Sequence, residues 1–231
     1  MTGRLLLMSN STNHGQRFLE HCAGEMKDFL GEISRVLFIP YALADKDGYA
    51  EKAREGFGRI DVAVDSIHDA EDPVRAVHEA ESIFVGGGNT FRLLTRLYEL
   101  DLLDPIRDRV ASGMPFMGAS AGTNVACVTI KTTNDMPIVY PPSFDALGFV
   151  PFNINCHYLD PVPDSSHMGE TRELRIREFH EDNEQMVVGL REGAWLRVEG
   201  DRITLGGANG ARVFRRGGEP EEIAPGSPLE F

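Results

Sequence analysis

Gly118-Ala119-Ser120-Ala121-Gly122 is a G-x-S-x-G pattern set between a short apolar run and residues 123–127, which read as a helix start. A serine on so tight a strand-to-helix turn is pushed out of the backbone envelope with its Oγ exposed, and the turn leaves room only for small neighbours. The chemistry implied is nucleophilic attack on a carbonyl, with the N–H groups at the helix start ready for an oxyanion. A serine nucleophile needs a base, and the base needs an orienting group. Of the histidines, His157 ends a predicted strand after Ser120, in Asn155-Cys156-His157-Tyr158, and can face the same rim. His21 and His78 fall inside predicted helices as surface residues, and His68, His167 and His180 fall in loops or near a helix end. Two carboxylates compete for the third place: Glu192, which follows the apolar run 186–190, and Asp135 in Thr133-Asn134-Asp135-Met136.

A second glycine-rich stretch, Gly86-Gly87-Gly88-Asn89, follows another apolar run. Three glycines permit close backbone approach to a ligand. Neither G-x-G-x-x-G nor G-x-x-x-x-G-K-[ST] occurs, so a nucleotide loop is weakly supported. A donor loop fits better, with one N–H of Gly87 or Gly88 joining that of Ala121 in an oxyanion hole.

The elements that must position these residues read as an α/β chain. Strands are predicted at residues 5–9, 35–40, 62–67, 82–85 and at the apolar run before Ser120, with helices at 17–30, 45–57, 72–80, 91–100 and 105–111 between them. Asp72-Pro73 supplies an N-cap with proline in the first turn. That rhythm implies βαβ units, hence a mostly parallel sheet flanked by helices, with the site beyond the carboxyl ends of its strands. Residues 131–144 read as an irregular loop, 152–158 as a strand, 161–170 as a loop and 171–180 as a charged helix. Short strands at 186–190, 194–198, 202–205 and 211–214 are expected to form an antiparallel extension on the sheet edge. Nothing marks a linker or a repeat, so a single domain over 1–231 is expected.

Composition narrows the partners. A formal net charge of -13 argues against non-specific nucleic-acid binding, which needs a basic face. No apolar stretch is long enough for a membrane span. Three cysteines without C-x-x-C spacing give neither a disulfide framework nor a zinc site, and a reduced, cytoplasmic protein is expected. Nothing in the sequence gives an oligomeric state.

Together, Phe84-Val85-Gly86-Gly87-Gly88-Asn89-Thr90, Gly118-Ala119-Ser120-Ala121-Gly122, Asn134-Asp135-Met136 and Cys156-His157-Tyr158 resemble the peptidase E family of α-aspartyl dipeptidases over essentially the whole chain. The resemblance implies a class I glutamine amidotransferase-like α/β fold. It also implies a Ser-His-Glu triad falling on Ser120, His157 and Glu192, with Asp135 a charge-relay candidate, and hydrolysis of small dipeptides with N-terminal aspartate. No metal or organic cofactor is implied. Such a substrate brings a side-chain carboxylate into the site, and its burial needs a cation. The basic residues nearest the rim in sequence are Lys131, Arg172, Arg175 and Arg177. Arg172 is the first choice, being nearest the 161–170 loop, which is placed to close as a lid. Gly87, Gly88, Asn89, Ala121 and Arg172 are therefore the expected substrate contacts.

Overall fold

Four consecutive apolar residues, Leu5 to Met8, can all be buried only in a strand covered on both faces. They form most of β1, and all four are essentially inaccessible. The computed structural model describes residues 3–161 and 169–230. In chain order its first half contains β1 (Arg4–Met8), α1 (Ala23–Leu30), β2 (Arg35–Ile39), α2 (Lys46–Gly58), β3 (Ala63–Ser66), α3 (Pro73–Glu79), β4 (Ile83–Val85), α4 (Thr90–Glu99), α5 (Leu103–Ala111) and β5 (Phe116–Ala119). Then come α6 (Ala121–Asn124), β6 (Asn153–Cys156), α7 (Arg172–Asp182), β7 (Val187–Leu190), β8 (Ala194–Glu199), β9 (Arg202–Gly207), β10 (Ala211–Phe214) and β11 (Glu221–Ile223).

A seven-stranded sheet has the order β3-β2-β4-β5-β1-β8-β9. Its first five strands are mutually parallel, and β8 and β9 continue it antiparallel. Side chains alternate across it, so Leu5 and Leu7 join one core while Leu6 and Met8 join the other. The Leu6 side is covered by α1 and α2 through Met26, Phe29, Tyr49 and Phe57; α4 and α5 cover the Leu5 side through Leu93, Leu97 and Ile106. The expected cap forms, Asp72 accepting from Arg75 N–H at 2.9 Å, and Asp45 likewise accepts from Gly48 N–H at 2.9 Å. No helix among the described residues is long and apolar enough to cross a membrane.

Two expectations need adjustment. The helix expected at 17–30 starts late, because Leu19 adopts φ 59° and a 3-10 turn at Glu20–Cys22 precedes α1. The late strands do not share one edge. β8 and β9 extend the main sheet, whereas β7, β10 and β11 form a second sheet with β6, ordered β11-β10-β7-β6, in which β6 and β7 are parallel. β7 is buried at every residue and needs cover on both faces. Gly189 gives it that cover by admitting the Tyr158 ring, which a Cβ would meet at 2.6 Å.

Candidate active site

Chain order hides how the strand ends meet. β5 lies between β4 and β1, so the turn after Ala119 is flanked by the glycine loop after Val85 and by Ser9-Asn10 after Met8. β8 runs antiparallel to β1 and starts at that rim, Trp195 pairing with Met8. In the second sheet Cys156 pairs with Leu190, so residues 157 and 191–192 emerge together beside it.

Ser120 occupies φ 52°, ψ -108°, outside the regions that side-chain-bearing residues favour. Such a conformation costs about 1–3 kcal/mol and persists only where neighbours over-determine it. Here Ser120 N–H donates to Met8 O at 3.0 Å, Asn124 N–H donates to Ser120 O at 2.9 Å, and Thr123 Oγ1 bonds both Met8 O and Gly118 O. A Cβ on Gly122 would overlap the Val85 carbonyl, so only glycine lets α6 cross β4 this closely. A Cβ on Gly87 would lie 3.1 Å from Ser120 Cβ, and its absence leaves space beside the Ser120 side chain.

His157 Nε2 lies 3.0 Å from Ser120 Oγ, and His157 Nδ1 lies 2.7 Å from Glu192 Oε1. With Nδ1–H donating to Glu192, Nε2 is left to accept the Ser120 hydroxyl proton. The two side chains are 42% and 53% exposed, so this end of the line is in contact with solvent. Cys156 Sγ lies 3.5 Å from Ser120 O, but burial pushes its thiol well above the ordinary range, which keeps it an inert thiol rather than a rival nucleophile.

The backbone donors can be sorted. In the glycine loop Gly86 N–H goes to Ile39 O and Asn89 N–H to Ala42 O, while the Gly87 amide bonds the hydroxyl of buried Tyr49. Gly88 N–H, at φ 135°, is the remaining donor of that loop, and Ala121 N–H opens α6. Asn89 stands at the rim, but its side chain is engaged: Oδ1 accepts from Arg92 N–H at 3.0 Å and Nδ2 donates to Met136 O at 2.8 Å. Asp135 is likewise occupied. Its Oδ2 accepts from Thr90 N–H at 2.7 Å, Thr90 Oγ1 at 2.6 Å and Thr133 Oγ1 at 3.1 Å. It therefore caps α4, and among the described residues the carboxylate bonded to His157 is that of Glu192.

Of the four cations named from sequence, three are engaged. Lys131 Nζ donates to Asn183, Arg175 pairs with Glu170 and Arg177 with Glu173. Arg172, the first residue of α7, is partly buried and has no hydrogen-bond or ion-pair partner among the described residues. Burial, with Arg175 beside it, lowers its pKa. The lid expected at 161–170 and His167 lie, but for the loop's ends, outside the described residues.

Sequence reasoning missed the residues that hold this rim. Ser9 and Asn10 are buried, Asn10 Oδ1 accepts from Gly193 N–H at 2.8 Å, and Asn209 Nδ2 donates to Glu192 O at 2.7 Å. The available signal was a polar Ser-Asn pair directly after four buried apolar residues. His21 is no surface residue: both ring nitrogens are buried without a partner among the described residues, and burial lowers its pKa against the opposing charge of Glu192. Among the described residues Asp47, His68 and Asp69 could hold a metal ion. His68 and Asp69 follow edge strand β3, with β2 and β4 between it and β5, Asp47 lies in α2, and His68 and Asp69 already pair with Asp47 and Arg54.

A serine, a histidine and a carboxylate in line, beside two backbone donors on an α/β sheet, make the arrangement of a serine hydrolase. The sequence model of peptidase family S51 matches residues 5–206, and the chain belongs to that family. It is 55% identical over 225 residues to a peptidase E of Streptomyces coelicolor, covering 97% of this chain and 93% of the relative. It is 50% identical over 230 residues to a probable alpha-aspartyl dipeptidase of Drosophila melanogaster, covering 98% and 96%. Among solved structures, a peptidase from an acI-B1 Actinobacterium superposes with TM-score 0.75 at 19% identity, covering 100% of this chain and 98% of that one. A peptidase E protein from Listeria monocytogenes gives 0.70 at 20%, covering 90% and 100%. At those identities the structures speak for the fold alone.

Proposed function

We propose that this chain is a serine dipeptidase cleaving dipeptides whose first residue is aspartate, with Ser120 as nucleophile, His157 as base and Glu192 as its orienting acid. The observation that carries the reading is the hydrogen-bonded line from Ser120 Oγ through His157 to Glu192 Oε1, at 3.0 and 2.7 Å. Ser120 Oγ attacks the scissile carbonyl while Nε2 takes its proton. Gly88 and Ala121 N–H groups receive the developing oxyanion, and His157 returns the proton to the leaving amine. Water then attacks the acyl-enzyme by the same route in reverse. The substrate class is taken from the Drosophila relative's name, and Arg172, unpaired among the described residues, is the proposed partner of the aspartate side chain. The same proposal places the protein in the cytoplasm, as its three buried, free cysteines suit a reducing compartment.

The test is hydrolysis of Asp-Leu, Asn-Leu and Ala-Leu by wild type and Ser120→Ala. A site that hydrogen-bonds a buried carboxylate rejects isosteres lacking it by factors of about 10⁴ in favourable cases. Asp-Leu should therefore dominate, and Ser120→Ala should lose activity by several powers of ten, since the triad acts as a unit. A fluorophosphonate should label wild type at Ser120. Equal cleavage of Asp-Leu and Ala-Leu, or a Ser120→Ala protein retaining most activity, would overturn the reading.

A further inference from the structure

Ser9 Oγ sits where the two sheets meet. The residue is fully buried, directly after β1 in the seven-stranded sheet. Its hydroxyl accepts from His157 N–H at 2.9 Å and donates to Leu190 O at 2.8 Å. Leu190 ends β7, and His157 directly follows β6, the neighbour of β7 in the second sheet. Its own N–H donates to Ala194 O at 3.0 Å, at the start of β8. Met8 O, one peptide earlier, accepts Ser120 N–H and Thr123 Oγ1, and Asn10 Oδ1, one residue later, accepts Gly193 N–H. Three consecutive residues thus contact the backbones that carry the nucleophile, the base and the acid.

The His157 contact matters because His157 adopts φ 53°, a left-handed conformation that a residue with a Cβ does not hold unaided. The Ser9 hydroxyl bonds the N–H of that very residue. No helix or sheet ladder supplies this bond: strand pairing ends at Cys156 and Leu190, and the next backbone bond, Tyr158 N–H to Leu190 O at 3.1 Å, passes over His157. The hydroxyl has one proton to give and lone pairs to accept with, and both functions are used. Alanine offers neither, and a hydrogen there would leave a buried N–H and one bond of a buried C=O unanswered.

We infer that Ser9 is a positioning residue for the reaction: its hydroxyl fixes the backbone of His157 against the end of the Glu192 strand, and so sets the Ser120–His157–Glu192 line. The inference rests on the serine-hydrolase reading above. Misplacing a catalytic group by about 1 Å can lower rate about a hundredfold without touching substrate contacts. The expected signature is thus a loss in kcat with KM nearly unchanged.

The experiment compares full-length wild type, Ser9→Ala, Ser9→Cys and Ser82→Ala. Ser82 is an equally buried serine, bonding Arg35 O at 3.1 Å at the opposite end of the sheet, and reports the generic effect of losing such a bond. Ser9→Ala should lower kcat on Asp-Leu about 10- to 100-fold with KM changed less than about twofold. Ser9→Cys, with a weaker donor and acceptor, should fall between, and Ser82→Ala should keep wild-type kcat. If Ser9→Ala does not fold, Ser9→Cys alone must show the kcat loss with KM nearly unchanged; a wild-type kcat there overturns the inference. So does a folded Ser9→Ala with kcat within twofold of wild type, or an equal loss in Ser82→Ala. Fluorophosphonate labelling separates the two readings. A labelled wild type with Ser9→Ala labelled equally fast sinks the positioning role alone, whereas an unlabelled wild type sinks the hydrolase reading and this inference with it.

Discussion

Glu192 and Asp135 are both carboxylates near the same rim, and their bonds give them different work. Glu192 Oε1 meets His157 Nδ1, while Asp135 Oδ2 collects three donors from Thr90 and Thr133. Glu192→Gln keeps shape but removes the charge that stabilises an imidazolium, so kcat should fall at least about a hundredfold with little change in thermal midpoint. Asp135→Asn removes a charged acceptor from the first N–H of α4, which is worth about 1–2 kcal/mol at a helix start. It should lower the midpoint and loosen the Asn89–Met136 tether, with the kinetic effect mainly in KM. Measuring kcat, KM and midpoint for both variants decides the matter: a harmless Glu192→Gln beside an Asp135→Asn dead in kcat would exchange their roles. At this scale the sequence was informative about residue types and silent about pairing. Turn chemistry singled out Ser120 and strand position His157, and their side chains meet at 3.0 Å. The choice between two acids depended on Thr90, which lies 45 residues from Asp135 in the chain and bonds it only once α4 is in place.

Elements, more than residues, mark what could be read in advance. The alternation of apolar runs and amphipathic stretches placed every strand from β1 to β5 and every helix from α2 to α5, because buried parallel strands and capped helices leave local signatures. Pairing of the late strands left none. A short strand's partners are settled by which surface still needs cover, and β7 found β6 and β10 instead of the main sheet's edge. The junction so created is fastened by Arg191, which makes a two-pronged pair with Asp160 at 2.8 and 2.7 Å and a second pair with Glu222. Asp160 lies three residues after His157, and Arg191 precedes Glu192. The Arg191 guanidinium holds the Asp160 carboxyl below the usual carboxylate range. A depressed carboxyl pKa stabilises the fold above the unfolded value of about 3.9 and loses that contribution as pH falls through the folded value. Asp160 is 48% exposed, so the contribution is at most about 1 kcal/mol, or about 2–4 °C in a chain of this size. Asp160→Asn should therefore melt slightly below wild type at pH 7, and the gap should close as pH falls below the usual carboxylate range. A gap that stayed constant across that range would mean that the Asp160 charge contributes nothing.

At the scale of the whole molecule, a net charge of -13 surrounds a site proposed to take an anion. An Asp-X dipeptide with an apolar second residue carries one net negative charge at neutral pH, so the long-range field opposes its approach. Against it stands one partly buried guanidinium, Arg172, unpaired among the described residues while its neighbours Arg175 and Arg177 are matched by Glu170 and Glu173. The two effects differ in range. Salt screens the diffuse repulsion over a Debye length of about 10 Å at 0.1 M but weakens a short, partly buried contact much less. Raising ionic strength from about 10 to 150 mM should therefore lower KM for Asp-Leu, by about two- to threefold, and leave KM for the neutral Asp-Leu amide nearly unchanged. Arg172→Met separates the contact from the field. It should raise KM for Asp-Leu steeply and erase much of the preference over Asn-Leu, while the same direction of salt response persists, since the remaining charges still repel. If wild-type KM for Asp-Leu instead rises with salt, local attraction governs capture. If Arg172→Met keeps the Asp-Leu over Asn-Leu preference intact, the aspartate carboxylate is held by another group.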